Sequence, residues 1–401
     1  MEKLSEKMKG LVLEGGGAKG SYHIGAIKAL YENGYTFDGV TGTSIGAINA
    51  ALVAQGDIEL CYELWSQALT SKIIDVDDAE VDNLLKMQIK LSTVRYFFNL
   101  IAKALREKGI STKQIERLMQ EYIDEDKIRA SSMDFGLVTV SLSDYFRPLE
   151  LFKEEIPSGM MHDYILASAY YPAFQGKKIG GKRYIDGGLY DNLPINPLIR
   201  RGYKEIIAVR TKRSMSIIKK PIDNTVKIDY IQPSESLGGT LVFSNERIMK
   251  NINLGYYDAL RFIHNYLGWS YYIEYQDNEH FSNCALTLDE NLYKEISKIM
   301  KWEYTSAQET LQKLMDYLKK RTKRKVKDCN YYDILIMLLE AVAGYYKIER
   351  FKVYTFKEFV KTIKSEFDAD ATNQLCVGRY LSTGLARSDF YNLLKVVLQY
   401  F

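Results

Sequence analysis

Cysteine is scarce in this chain. The 401 residues hold four, Cys61, Cys284, Cys329 and Cys376. They are widely spaced and form no C-x-x-C pair, which argues against both a zinc site and a disulfide framework. An excess of either charge is equally lacking. The 54 Lys and Arg against 51 Asp and Glu leave a formal net charge of +3, too little to steer the whole molecule toward nucleic acid. Long apolar runs are missing as well: the most apolar later stretch, 331 to 346, is shorter than a membrane span and carries Asp333 and Glu340. A strand that begins by residue 10 leaves no room for a signal peptide. There is no internal repeat. These absences predict a reduced, cytoplasmic protein with no nucleic-acid partner. Apolar residues still make up 46% of the chain, enough for a sizeable core, and the length predicts one large or two smaller domains.

Three glycine-rich stretches carry the chemistry. Gly42-Thr43-Ser44-Ile45-Gly46 places a serine between two apolar runs. A hydroxyl projected for attack needs a tight strand-to-helix turn, in which side chains two before and two after would collide, so glycine is wanted at both positions. The small residues Ala47, Ala50 and Ala51 let the following helix lie close against a sheet. Upstream, Lys9 to Leu13 reads as a buried strand, followed by Glu14-Gly15-Gly16-Gly17-Ala18-Lys19-Gly20 and a helix with Ile24, Ile27, Leu30 and Tyr31 on one face, ended by Asn33-Gly34. Glycines before a helix start expose a row of N–H groups that bind negative charge, whether a cofactor phosphate or the oxyanion of an ester. The third stretch is Asp186-Gly187-Gly188, after residues 175 to 185, whose Gly180-Gly181 turn predicts a β-hairpin.

In this order, Gly-Gly-Gly-x-Lys-Gly, Gly-x-Ser-x-Gly and Asp-Gly-Gly resemble the three motifs of patatin-like phospholipases. Ala167-Ser168-Ala169-Tyr170-Tyr171-Pro172 resembles that family's Ala-Ser-x-x-x-Pro segment, and Asp191-Asn192-Leu193-Pro194 is similar too. Glu14 stands where many members carry aspartate. The resemblance covers roughly residues 9 to 265. It implies a three-layer α/β/α domain and a Ser-Asp dyad, with Ser44 as nucleophile and Asp186 as base. It also implies an oxyanion hole from the N–H groups of Gly16 and Gly17, with Ala18 as a further donor. Gly15, Lys19 and Gly20 complete the loop, and Gly42, Gly46, Gly187 and Gly188 shape the motifs. The implied activity is a metal-independent, cofactor-free acyl-ester hydrolase acting on phospholipid or related lipid at a membrane surface. An exposed aspartate is a poor base, its ordinary pKa being about 3.9, so the site is expected to be desolvated, which raises that value.

Other readings follow from the same residues. Ser44 can cap the helix that starts at Ile45, Asp186 can be a turn residue, and Lys19 can solvate the loop or attract an anionic head group. Gly15-x-Gly17-x-x-Gly20 also satisfies a dinucleotide fingerprint, but Asp38 precedes the second strand instead of closing it. The Gly-Lys-Ser/Thr ending of a P-loop is missing. Of the four histidines, His264 and His280 follow Asp186 in α/β-hydrolase order, and His23 is expected to be packed rather than catalytic.

Residues 57 to 130 read as mostly helical, with Leu84-Leu85 and an apolar stretch at 96 to 101 that serves either as a core helix or as a lid. Strands are predicted at 136–141, 206–210 and 226–231, a loop at 232–240, and a helix at 245–262. From 275 to 401 a helical accessory domain is expected, with helices at 292–320, 331–346, 356–367 and 388–400. Its basic run, 319 to 327, suits a solvated face, an anionic membrane surface or another anion. The tail helices suit regulation of the esterase, docking or homodimerisation.

Overall fold

The computed structural model describes residues 8–66, 113–170, 178–212, 216–240, 244–274, 290–321, 331–369, 392–396 and 398. The chain divides into two compact units, Met1–Ile263 and His264–Phe401.

The first unit is built on a seven-stranded mixed sheet flanked by helices. Its strands are β1 (Lys9–Leu13), β2 (Gly39–Thr43), β3 (Asp134–Ser141), β4 (Arg147–Phe152), β5 (Tyr184–Asp186), β6 (Glu205–Val209) and β7 (Lys227–Ile231). The order is β4-β3-β2-β1-β6-β7, with β5 also on β3. β1, β2, β3, β6 and β7 run parallel, while β4 and β5 pair antiparallel with β3. Leu11, Val12 and Leu13 have no exposure at all, as a parallel strand covered on both faces requires.

Among the described residues, the helices of this unit are α1 (Ser21–Glu32), α2 (Ile45–Ala54), α3 (Ile58–Ser66), α4 (Lys113–Tyr122), α5 (Glu125–Ala130), α6 (Met161–Ser168), α7 (Asn196–Arg200) and α8 (Asn245–His264). Ala47, Ala50 and Ala51 of α2 are fully buried, so small side chains let its axis come close to the sheet. α1 and α8 touch backbone to backbone: a Cβ on Gly25 would strike the Ile252 carbonyl, and one on Gly255 the Tyr22 carbonyl. At the same crossing the Tyr22 hydroxyl donates to Asp258 at 3.1 Å.

One expectation in this unit changes. Among the described residues, the hairpin expected before Asp186 is a single bridge, Ile179 to Lys182, around Gly180 (φ 55°) and Gly181 (φ 79°). β5 pairs instead with β3, where its backbone finds a full ladder. β4 contains Pro148, which a central strand would reject, but β4 lies on the sheet edge, where a missing N–H costs no ladder bond. The stretch at 96–101 and Leu84-Leu85 lie outside the described residues.

The second unit holds α9 (Glu290–Met300), α10 (Ala307–Arg321), α11 (Tyr331–Tyr345) and α12 (Phe356–Ala369), with a parallel pair, β8 (Tyr272–Glu274) and β9 (Val353–Thr355). The helix expected at 292–320 is two helices. Lys301 turns to φ 56°, Trp302 N–H returns to the Ser297 carbonyl at 2.9 Å, and Ser306 caps α10 by accepting from Glu309 N–H at 3.2 Å. Leu339, Val342, Ala343, Phe359 and Ile363 lie at the centre of this unit's core. The buried Glu340 carboxylate accepts the N–H groups of Trp269, Ser270 and Tyr271 at 2.6, 2.6 and 2.8 Å. Most of the basic run and of 388–400 lies outside the described residues. Among those described, no helix is long and apolar enough to cross a membrane.

Candidate active site

Register explains why distant segments meet. β1, β2 and β6 are parallel neighbours, so their carboxyl ends open on one edge of the sheet, where α/β folds place ligands. β1 leads into the glycine loop, β2 into Ser44, and β6 into Arg210-Thr211-Lys212. β3 supplies the last alignment: Val138 pairs with Thr43 and the next residue, Thr139, pairs with Asp186. β5 thus takes over the same side of β3 where β2 stops, and Ser44 and Asp186 arrive side by side. The Ser44 hydroxyl comes near enough to the Asp186 carboxylate to hold its pKa down.

Ser44 sits at φ 58°, ψ −128°, a backbone region that L-residues rarely adopt and that costs on the order of 1–3 kcal/mol. The surroundings hold it there. Its N–H donates to the Ser168 hydroxyl at 2.9 Å, and that hydroxyl donates to the Val138 carbonyl at 2.6 Å. Thr43 donates to the Asp191 carbonyl at 2.8 Å. The turn has no room for side chains at its ends: a Cβ on Gly42 would strike the Gly46 carbonyl, and one on Gly46 the Leu13 carbonyl. Ser44 caps no N–H of α2 with its side chain, so the capping reading has no bond to support it.

Asp186 is 7% exposed. Burial pushes its carboxyl up to about 6, against the Ser44 hydroxyl, the Gly188 N–H and the positive charge of Lys212, which all hold it down. The Gly188 N–H donates to Asp186 Oδ1 at 2.7 Å. Such a carboxylate is ionised near neutrality yet basic enough to accept a proton there.

The glycine loop is fixed by bonds from far along the chain. Gly15 N–H donates to the Asn192 carbonyl at 3.0 Å, and the Gly15 carbonyl accepts from Thr211 Oγ1 at 2.7 Å and Asn192 Nδ2 at 3.1 Å. Ala18 cannot serve as an oxyanion donor in this arrangement, because its N–H is spent on the Thr240 carbonyl at 2.8 Å. Lys19 N–H goes to the Gly16 carbonyl at 3.3 Å. The N–H groups of Gly16 and Gly17 meet no acceptor among the described residues. Glu14, fully buried, anchors the loop: its carboxylate accepts from Thr211 N–H at 2.7 Å, Lys212 N–H at 3.3 Å and the Ser216 hydroxyl, with Arg210 Nε at 3.5 Å. The extra methylene of glutamate carries that carboxylate out to the turn after β6.

His23 is completely buried, and burial lowers its pKa to about 3. Trp65 Nε1 donates to Asn49 Oδ1 at 3.0 Å, so Asn49 Nδ2 donates to the Gly20 carbonyl at 3.0 Å and to His23 Nδ1 at 3.2 Å. The imidazole is a neutral packing element behind the loop. His162 bonds the Ile123 carbonyl through Nε2 at 2.7 Å, and His264 stacks on Tyr266; His280 lies outside the described residues. Sequence reasoning gave no role to Ser168, Thr211 or Thr240. The Ala-Ser-x-x-x-Pro segment marked Ser168 as notable, but nothing local signalled the other two. Among the described residues, no group of three or more His, Cys, Asp or Glu is placed to hold a metal.

A family model described as patatin-like phospholipase matches residues 11–199. The lysophospholipase NTE1 of Kluyveromyces lactis is 28% identical over 210 residues, covering 51% of this chain and 13% of that protein. The human patatin-like phospholipase domain-containing protein 6 is 31% identical over 208 residues, covering 50% and 13% respectively. The matched segment thus spans about an eighth of these relatives (13% of each). Among solved structures, VipD from Legionella pneumophila aligns over 98% of this chain and 91% of its own, with a TM-score of 0.41 at 16% identity.

Proposed function

We propose, from the match of residues 11–199 to a patatin-like phospholipase family model, that the chain is a lipid acyl hydrolase working through a Ser44–Asp186 dyad. The observation that carries the reading is the strand register that sets Ser44, on its strained turn, beside a buried Asp186 raised to about 6. Ser44 Oγ attacks the ester carbonyl while Asp186 takes its proton. The negative charge that develops on the carbonyl oxygen is received by the N–H groups of Gly16 and Gly17, donors of a kind whose single loss elsewhere costs ~10²–10³ in rate. Collapse of the tetrahedral species expels the alcohol, which takes the proton back from Asp186, and leaves an acyl-serine. Water, deprotonated by Asp186, then hydrolyses that ester and restores the serine.

The names of the curated relatives favour a phospholipase or lysophospholipase. A serine-reactive fluorophosphonate tests the reading. It should label the native chain, and labelling and acyl release should both vanish in Ser44→Ala and fall at least a hundredfold in Asp186→Asn. Full labelling of Ser44→Ala, or acyl release that survives it, overturns the assignment.

A further inference from the structure

Two lysines stand on neighbouring turns beside this site. Lys19 stands on the turn of the glycine loop, and Lys212 on the turn after β6; both are half-buried. Since β1 and β6 are neighbours in register, Leu13 beside Val209, the two turns rise from adjacent strand ends. They are tied together by Thr211 Oγ1 to the Gly15 carbonyl at 2.7 Å and by Lys212 N–H to Glu14 at 3.3 Å. A Cβ on Gly16 would touch the Thr211 side chain, so Lys212 follows directly on the residue that covers the loop.

Among the described residues, no carboxylate lies within 4.0 Å of either ammonium. Glu14, which draws on Lys19, is committed to two main-chain N–H groups, the Asn192 amide, a hydroxyl and Arg210. The two ammonium groups feel one another: burial and the charge of Lys212 both lower the pKa of Lys19. Lys212 also acts on Asp186, so its charge reaches the reacting centre. Two half-buried cations that repel each other suit an anion, because a bound anion removes the repulsion and compensates their partial burial.

We propose that Lys19 and Lys212 form a subsite for the phosphate of the substrate, and that it selects phospholipids with a net negative head group over those with a phosphocholine-type zwitterion. The inference rests on the acyl-hydrolase reading and deepens it. A zwitterion brings an ammonium beside its phosphate, and Glu14, the carboxylate that draws on Lys19, is already engaged. An anionic phosphodiester meets attraction alone.

The test uses short-chain lysophospholipids that stay monomeric in water and share one acyl chain, differing only in a glycerol or a choline on the phosphate. The native protein should cleave the glycerol form with at least tenfold higher kcat/KM, and the preference should shrink as salt rises. Lys212→Gln should cut that ratio about tenfold, and Lys212→Arg should restore it. The bond to Glu14 uses the main-chain N–H of residue 212, so these variants keep it, and matching thermal melts check the fold. A native ratio near one overturns the subsite, as does an equal fall on both substrates. Inorganic phosphate should inhibit the native protein competitively and Lys212→Gln much less. Inhibition by phosphate without head-group preference reduces the pair to a free-phosphate site and also overturns the proposal. If fluorophosphonate fails to label Ser44 and neither ester is cleaved, the hydrolase reading itself falls. If Ser44 is labelled and the choline ester is cleaved equally well, the subsite alone falls.

Discussion

The hydroxyl of Ser168 accepts the backbone N–H of Ser44 at 2.9 Å while donating to the Val138 carbonyl at 2.6 Å. One side chain thereby ties the turn after β2 to the strand that aligns Asp186. Ser168→Ala leaves a buried carbonyl without that donor and the Ser44 N–H without an acceptor, at a cost of ~1–3 kcal/mol. The expected result is a kcat about 10- to 100-fold lower with KM nearly constant, since strain at the attacking residue is relieved before substrate chemistry is reached. Steady-state kinetics on a soluble ester, beside a urea melt, separates the two effects.

Acid should silence the enzyme. With the Asp186 carboxyl raised to about 6, kcat/KM on a neutral ester should rise about tenfold per pH unit below that value and level off above it. Removal of the Lys212 charge, which holds the value down, should move the inflection upward. A profile already flat at about pH 4, the ordinary aspartate range, excludes Asp186 as the base.

Stability should run the opposite way. Asp191 is fully buried and also raised to about 6 by burial, although the N–H groups of Leu193 and Lys219 and the Lys219 charge pull it down. Its Oδ2 meets no hydrogen-bond partner among the described residues. A carboxyl whose folded pKa exceeds its unfolded value stabilises the fold fully below the unfolded value, and that contribution is lost as pH rises through the folded one. The window lies between 3.8 and about 6. Asp191→Asn keeps the oxygen that accepts from Leu193 and Lys219 and removes the charge. From pH 4 to 8 its unfolding free energy should gain roughly 2–3 kcal/mol on the native chain, two pKa units at about 1.4 kcal/mol each. Parallel denaturant titrations measure it, and an unchanged difference counts against a buried, charge-averse Asp191.

Gly46→Ala should abolish both labelling and cooperative folding. Its new methyl would enter the Leu13 carbonyl, and backbone on a central strand has no room to yield. By contrast Gly34→Ala, at a surface turn with nothing within 4 Å but φ +78°, should cost only ~1 kcal/mol. Similar melts for the two would contradict this packing.

Local chemistry made much of this fold legible. The glycines flanking Ser44 follow from steric need within one turn, and β1, β3, β6 and β7 follow from short apolar runs. Lys301 shows where such reading stops. Nothing in its type signals the left-handed φ that divides α9 from α10, because the bonds that fix it come from Ser297 and Lys298 in folded geometry. β4, for which the sequence offered no signal, is similar: whether a strand holding Pro148 can sit on an edge is a property of the sheet. The loss of Ala18 as a donor depends on Thr240, a partner invisible to any motif within the loop.

A boundary drawn by sequence likeness and one drawn by mechanics need not coincide. The family match ends at residue 199, yet the loop that is to cradle the oxyanion leans on Thr211, Ser216 and Thr240. A fragment trimmed at 199 would keep serine and aspartate intact and still lose the scaffold that stiffens the cradle between them.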